Sequence, residues 1–281
     1  MEIASRLRGA SFAAILAVGL FFVTAQGGAS LLKESDWQQG KAFLAEGKAR
    51  EARDLLEKLL QRYSEEPDLH LLLGIAALRL REIQAAEIHI NRVLGLEPDH
   101  AEARTLLGWI HLEIKKDYPA AVREYTRVVA LRPGSAEAYN NLGVALKKQG
   151  ELDRAIASLS RAVELRGNYG EALSNRGWVF LEQKKYREAR ADFEASLTIN
   201  PKDEGALYGL TQVLRAERDY SGAEKVLSRV ISQSPNFVYW LEWVQLKLVH
   251  YYWILLMVAA ALFLHARYNK ARTLRRESHG G

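Results

Sequence analysis

A chain of 281 residues, 48% hydrophobic and 26% charged, has the material for one elongated domain with accessory segments. The formal net charge of +5 belongs to the ends: residues 1–30 sum to +1, 265–281 to +4 and 31–236 to zero, a balance that does not suggest a basic stripe for nucleic acid along the centre. The absence of cysteine excludes disulfides, thiolate catalysis and cysteine metal sites.

The first segment reads as an export signal. Arg6 and Arg8 precede an uncharged run of apolar or small residues from Ala10 to Val23, and Val23-Thr24-Ala25 offers small residues before Gln26. The run falls short of the roughly 20 apolar residues of a spanning helix. Residues 1–25 are therefore expected to be a cleaved signal or a retained anchor, with a buried helix as the alternative. Residues 26–32 read as a linker, beginning close to Gly27-Gly28.

The middle of the chain repeats itself. Gly40, Gly74, Gly108, Gly143 and Gly177 are spaced by 34, 34, 35 and 34 residues. Ala52, Ala86, Ala121, Ala155, Ala189 and Ala223 follow at 34, 35, 34, 34 and 34. Pro98, Pro133, Gly167, Pro201 and Pro235 each stand twelve residues after one of the last five alanines. Each unit then holds two helices with apolar faces. The small residues suit a close crossing, and proline separates units because it cannot continue a helix. In the fourth unit, Ala138 to Leu146 is the predicted first helix and Asp153 to Leu165 the second, with Ala155, Ile156, Leu159, Ala162 and Val163 on one face. One pair cannot bury its faces alone, whereas stacked pairs share a continuous core.

This pattern resembles the tetratricopeptide-repeat (TPR) family over residues 33–236. The resemblance implies an all-α, right-handed solenoid of about six helix–turn–helix units, near 33–66, 67–100, 101–135, 136–169, 170–203 and 204–236. Three departures stand out. Thr211 replaces glycine in the sixth unit, the first unit carries an extra Ser64-Glu65-Glu66, and the third has one added residue within Lys115-Lys116-Asp117-Tyr118-Pro119.

TPR solenoids line a concave groove with their first helices and bind a protein or peptide there. By that resemblance the groove residues are Trp109, Asn140, Asn141, Lys147, Asn175, Trp178, Tyr208 and Arg215. Asn141 and Asn175 occupy one repeat position in adjacent units, where an amide can both donate to and accept from an extended peptide; a solvated or capping role is the plainer reading. Trp109 and Trp178 share another position and offer large contact areas, with packing inside the fold as the alternative. Glu102, Glu137 and Glu171 recur near the groove edge and are read as ordinary helix-start carboxylates. The Lys and Asn set that clamps an acidic chaperone tail in some TPR proteins is missing.

Residues 237–247 read as a closing helix that runs without glycine or proline into Leu248–Leu264, a stretch with no Asp, Glu, Lys or Arg. At 1.5 Å per residue its 17 residues span about 26 Å, slightly less than the roughly 30 Å hydrocarbon core. Trp240, Trp243, Tyr251, Tyr252 and Trp253 crowd its start like an interfacial belt. A transmembrane helix is expected over 248–264, with a buried closing helix as the alternative. Five cations from Arg267 to Arg276 mark residues 265–281 as a cytoplasmic tail. Arg6 and Arg8 make the same demand, which places residues 26–247 outside the cytoplasm, on the periplasmic face of a bacterial inner membrane.

No chemistry is expected. The seven histidines form no HExxH, His70 and His89 read as surface residues, and no GxSxG, phosphate loop or dinucleotide fingerprint occurs. The sequence therefore predicts a scaffold without catalytic residues, metal or cofactor. Its partner is a protein or peptide, not a nucleic acid. A constitutive subunit of a membrane complex, or a self-associating assembly, is the alternative.

Overall fold

The computed structural model describes residues 34–278, with side chains from 37 to 269. The signal segment expected over 1–25 and the linker over 26–32 lie outside the described residues. Those described form helices only, named α1 to α13. The chain divides into two compact units, one running through Val179 and the other from Phe180.

The first unit holds α1 (Glu34–Ala45), α2 (Ala49–Leu60), α3 (Pro67–Arg79), α4 (Ile83–Leu96), α5 (Ala101–Trp109), α6 (Tyr118–Leu131), α7 (Ala136–Gln149), α8 (Leu152–Leu165) and most of α9 (Gly170–Glu182). Successive helices pair as antiparallel hairpins, and the glycines mark where the partners cross. A Cβ on Gly40 would sit 2.7 Å from Leu56 Cδ2, one on Gly74 3.0 Å from Ile90, one on Gly108 3.0 Å from Tyr125 and one on Gly143 2.5 Å from Leu159. A larger residue there would crowd the facing side chain of the second helix, an overpacking effect of about 1–3 kcal/mol. The alanine series faces the same interior: Ala52, Ala86, Ala121 and Ala155 are fully buried.

A third series emerges only in three dimensions. Gly47, Arg81, Lys116, Gly150, Lys184 and Arg218 all have positive φ, and they follow one another by 34, 35, 34, 34 and 34 residues. Each ends a first helix in the left-handed conformation. The next residue then donates its N–H back over the turn, as Lys48 does to Phe43 O (2.8 Å) and Glu151 to Leu146 O (2.9 Å). The third hairpin differs by one residue. There Ile110–Lys115 form a π-helical turn, and Asp117 N–H reaches one residue further back, to His111 O, at 2.9 Å. The added residue is thus absorbed as an extra backbone step inside the first helix, and the stacking of the hairpin is kept.

The second unit holds the end of α9, α10 (Tyr186–Ile199), α11 (Glu204–Ala216), α12 (Tyr220–Gln233) and α13 (Phe237–Ser278). Ala189 and Ala223 are again fully buried. Thr211, standing where earlier units have glycine, is fully buried and turns its hydroxyl onto Leu207 O at 3.0 Å. A different close approach lies at Gly209, whose missing Cβ makes room for the Phe193 ring of α10 in the preceding hairpin.

Residues read as a closing helix, a span and a tail form one uninterrupted helix of 42 residues, about 63 Å long. Its start packs on the last hairpin through Tyr239 and Leu246, both nearly fully buried. Within its most apolar 18-residue window none of the side chains is buried, and Leu248 to Leu264 lie bare on nearly every side.

Candidate functional site

In the first unit the first-helix residues split into two sets. Asn140 on α7 is 2% exposed. Its carbonyl accepts from Asn175 Nδ2 of α9 at 2.9 Å, and its own amide donates to Glu171 Oε1 at 3.4 Å. Asn140 is therefore a bridge between successive first helices, a correction to its expected place on the groove surface. Trp109 is corrected likewise. It is 9% exposed within a core cluster with Leu106, Leu107 and Ile110, because the indole fills the space between neighbouring hairpins.

Asn141, Lys147, Asn175 and Trp178 remain partly exposed. Lys147 Nζ lies 5.4 Å from the centre of the Trp178 ring, within range of a cation–π contact between α7 and α9. This ammonium–indole pair can offer a flat apolar surface and a positive charge, and Asn141 on α7 adds a partly exposed amide, while the Asn175 amide N–H is committed to Asn140. That combination suits a peptide.

The glutamates at the edge are occupied by the chain itself. Glu102 pairs with Arg132 and Glu137 with Arg166, each arginine standing just after the second helix of the same hairpin. Burial alone would raise the Glu137 carboxyl, but hydrogen bonds from Arg166 and Ser135 outweigh it and hold the group below the usual carboxylate range. The Arg166 guanidinium also lies 4.6 Å from the Tyr169 ring centre.

In the second unit the expected residues meet a different fate. Tyr208 Oη donates to Glu242 Oε1 at 2.8 Å, and Arg215 Nη1 stands 3.7 Å from Glu242 Oε2. Tyr239 Oη returns the gesture, donating to Glu204 Oε1 at 2.9 Å. Helices α11 and α13 thus exchange a tyrosine and a glutamate each, with the two rings 5.3 Å apart. Burial, reinforced by the carboxylate each hydroxyl faces, pushes both tyrosines well above the ordinary phenol range.

One cluster was misread from sequence. His70 is 7% exposed rather than on the surface, and its Nδ1 lies 3.1 Å from His89 Nδ1, joining α3 to α4. His70 Nε2 lies 3.0 Å from Ser64 O, so this nitrogen carries the proton and Nδ1 accepts from His89. Burial, and then His70, lower the His89 pKa. The 19-residue separation matches two positions facing each other across a hairpin, a signal visible only once the repeat register is applied. Among the described residues no group of three or more His, Asp or Glu side chains forms a metal cluster.

Comparison with known proteins agrees with this architecture. Profiles described as tetratricopeptide repeat match residues 43–110, 134–202 and 180–242, and one described as TPR repeat matches 114–150. The type IV pilus assembly protein PilF of Pseudomonas aeruginosa is 26% identical over 163 residues, 57% of this chain and 64% of its own length. The BBSome complex member BBS4 homolog of Drosophila melanogaster is 24% identical over 217 residues, 77% of this chain and 44% of its own length. The chain thus spans less than two thirds of either relative. Among solved structures, PilW, described as a widely conserved type IV pilus biogenesis factor, superposes with a TM-score of 0.67 at 16% identity, covering 73% of this chain and 96% of that one.

Proposed function

The chain belongs to the tetratricopeptide-repeat family, and from that premise we propose that it is a membrane-anchored adaptor. It holds an extended protein segment against the α7–α9 face, at Asn141, Lys147, Asn175 and Trp178, while α13 fixes it to a bilayer. The resemblance to pilus assembly and biogenesis factors favours an assembly or secretion step in a bacterial envelope. The positive flanks favour a periplasmic repeat domain, a cytoplasmic tail after Leu264 and a bacterial inner-membrane location.

The observation that carries the reading is the continuity of α13. One helix buries Tyr239 and Leu246 on the last hairpin and then leaves Leu248 to Leu264 without protein cover. Water would not tolerate that bare rod, because exposed apolar surface is unfavourable by about 25 cal/mol per Å². A bilayer covers it, with aromatic rings at one end and cations at the other.

The test is a topology and capture experiment on the full chain in a bacterial host. An alkaline phosphatase reporter joined after Gly150 should be active, and the chain should resist alkaline extraction from membranes. Cross-linking in intact membranes should then trap a protein through Lys147 or Trp178. Reporter activity only from a cytoplasm-specific enzyme would reverse the orientation. A partner retained at fixed stoichiometry, never exchanging, would make the chain a constitutive subunit instead.

A further inference from the structure

Side-chain contacts fix the direction in which each helix of the second unit runs. Glu204 and Tyr208 of α11 meet Tyr239 and Glu242 of α13 in the same order, so α11 runs beside α13 towards the bare rod. Ser234, just after α12, donates to Glu204 at 2.7 Å, so α12 runs the opposite way, and near its start Glu224 holds Lys247 at 3.1 Å. Helix α10 starts at that same end, because its Arg190 Nη1 lies 3.1 Å from Glu217 Oε2, between α11 and α12.

The depth of the α11–α12 turn follows from the helical rise. Glu204 stands beside Tyr239, and Glu217 comes 13 residues after it; the same advance along α13, about 20 Å, leads to Tyr252. Counting back from Glu224, opposite Lys247, the five residues to Asp219 lead about 8 Å further along α13, again to Tyr252. Tyr251, Tyr252 and Trp253 are 42%, 58% and 55% exposed and form the aromatic belt at the head of the bare rod, where such rings sit among lipid headgroups. This end of the second unit therefore stands at headgroup depth.

The side chains brought there are mostly basic. Lys184, Lys185 and Arg187, around the α9–α10 turn, and Arg218, in the α11–α12 turn, are all exposed. Neighbouring acids are used inside the fold: Glu217 by Arg190, Glu224 by Lys247, and Asp219 by the Gly222 N–H at 2.8 Å. Exposed Glu182 and Glu188 offset only half of the four cations. Net charge is +2 over 182–190 and zero over 215–219, whereas at the far end of the same helices 200–204 sum to −1 and 234–236 carry no charge. Stacking of hairpins requires no such bias between the two ends.

We propose that this end of the second unit binds the headgroups of anionic phospholipids, with Lys184, Lys185, Arg187 and Arg218 as the contacting side chains; the inference rests on the membrane-anchor reading above. Each cation held at an anionic surface strengthens the association about fivefold. The anchor alone leaves α13 free to tilt and to turn about its axis, and interfacial contacts on one side of it set both. The lipid contact therefore fixes how the second unit stands on the bilayer.

The chain has no cysteine, so one fluorophore can be placed by mutation. Ala216→Cys, at the exposed end of α11, and Gln233→Cys, at the exposed far end of α12, are made in the full chain and labelled. Each is reconstituted in vesicles of phosphatidylcholine alone or with phosphatidylglycerol at about one lipid in three, with a trace of lipid carrying a quencher on its headgroup. Each preparation is first checked for resistance to alkaline extraction. Quenching should be severalfold stronger at Ala216→Cys than at Gln233→Cys, and phosphatidylglycerol should raise it further. About 0.5 M salt, which shortens the screening length to roughly 4 Å, should erase that rise without any change to the fold. Lys184→Gln, Lys185→Gln, Arg187→Gln and Arg218→Gln together should erase it as well. A chain that washes out of the vesicles overturns the anchor and the lipid site together. A chain that stays embedded but is quenched equally at both positions or in both lipids, or that keeps the rise in salt or without the four cations, overturns the lipid site alone.

Discussion

The first helices of the two units use equivalent repeat positions for opposite ends. On α7 and α9, Lys147 meets Trp178 and the buried Asn140–Asn175 bridge sets their spacing, leaving a partly exposed polar and aromatic face. On α11, Tyr208 and Arg215 are drawn to Glu242 of the chain's own last helix. A repeat position therefore has no fixed role. The helix that the chain stacks next decides whether that position stays partly exposed or packs against α13.

The sharpest way to break this contrast is to remove the tether. Tyr239→Ala deletes a buried ring and leaves Glu204 with only Ser234 as its hydroxyl donor, at 2.7 Å. The expected loss is about 3 kcal/mol, local to the second unit, because repeats exchange energy with their neighbours. Limited proteolysis of the full chain in detergent should open cleavage between about residues 200 and 247 while the first unit stays protected; unchanged protection there would show that the tyrosine–glutamate exchange holds nothing.

The complementary change leaves the tether intact. Lys147→Ala with Trp178→Ala should lower partner capture from intact membranes by more than about tenfold, or roughly 1.4 kcal/mol. Tyr208→Phe, which removes only a hydroxyl committed to Glu242, should leave capture unchanged. Equal losses from both would erase the distinction between the units.

A pH experiment separates them differently. His89 titrates below its unfolded value because burial and His70 disfavour its charged form. Just below pH 6.5 the unfolded chain binds more protons than the folded one, so the stabilisation is present above that pH and fades as the solution is acidified through the folded pKa. Near His89 in sequence, Glu87 is held by Lys115 at 2.5 Å, and Arg92 pairs with Glu65 at 2.5 Å. Thermal unfolding of the first unit should weaken from pH 7.5 to 5.5, and His89→Gln should flatten that slope. A slope unchanged by the substitution would assign it to other groups.

The fold was legible because its constraints are periodic. Close helix crossings favour glycine at Gly40, Gly74, Gly108 and Gly143, and their spacing alone reveals the period. The bare rod was legible for the same kind of reason, a run without charge. Side-chain roles on the groove were not. Asn140 and Asn141 are neighbours in sequence with the same chemistry, yet a rotation of about 100° around the helix buries one as a bridge and leaves the other at the surface. Tyr208 and Arg215 were read as groove residues because nothing local announces that Glu242, 34 residues after Tyr208, returns to meet them.

The hairpin turns give the finest comparison. Each needs one left-handed residue, and the first unit supplies glycine at Gly47 and Gly150 but Arg81 and Lys116 elsewhere. The second unit uses Lys184 and Arg218, with φ of 59° and 63°. A side chain with a Cβ resists this conformation by roughly 1–2 kcal/mol, partly offset by the extra freedom glycine has when unfolded. Gly150→Ala should therefore destabilise the first unit by about 1 kcal/mol, and Lys184→Gly with Arg218→Gly should stabilise the second by a few tenths to about 1 kcal/mol each. Thermal unfolding of the full chain in detergent reads both signs. A stabilising Gly150→Ala would mean that this turn can leave the left-handed region without disturbing the hairpin, and that the regular spacing of the six positions is set by the helix contacts on either side.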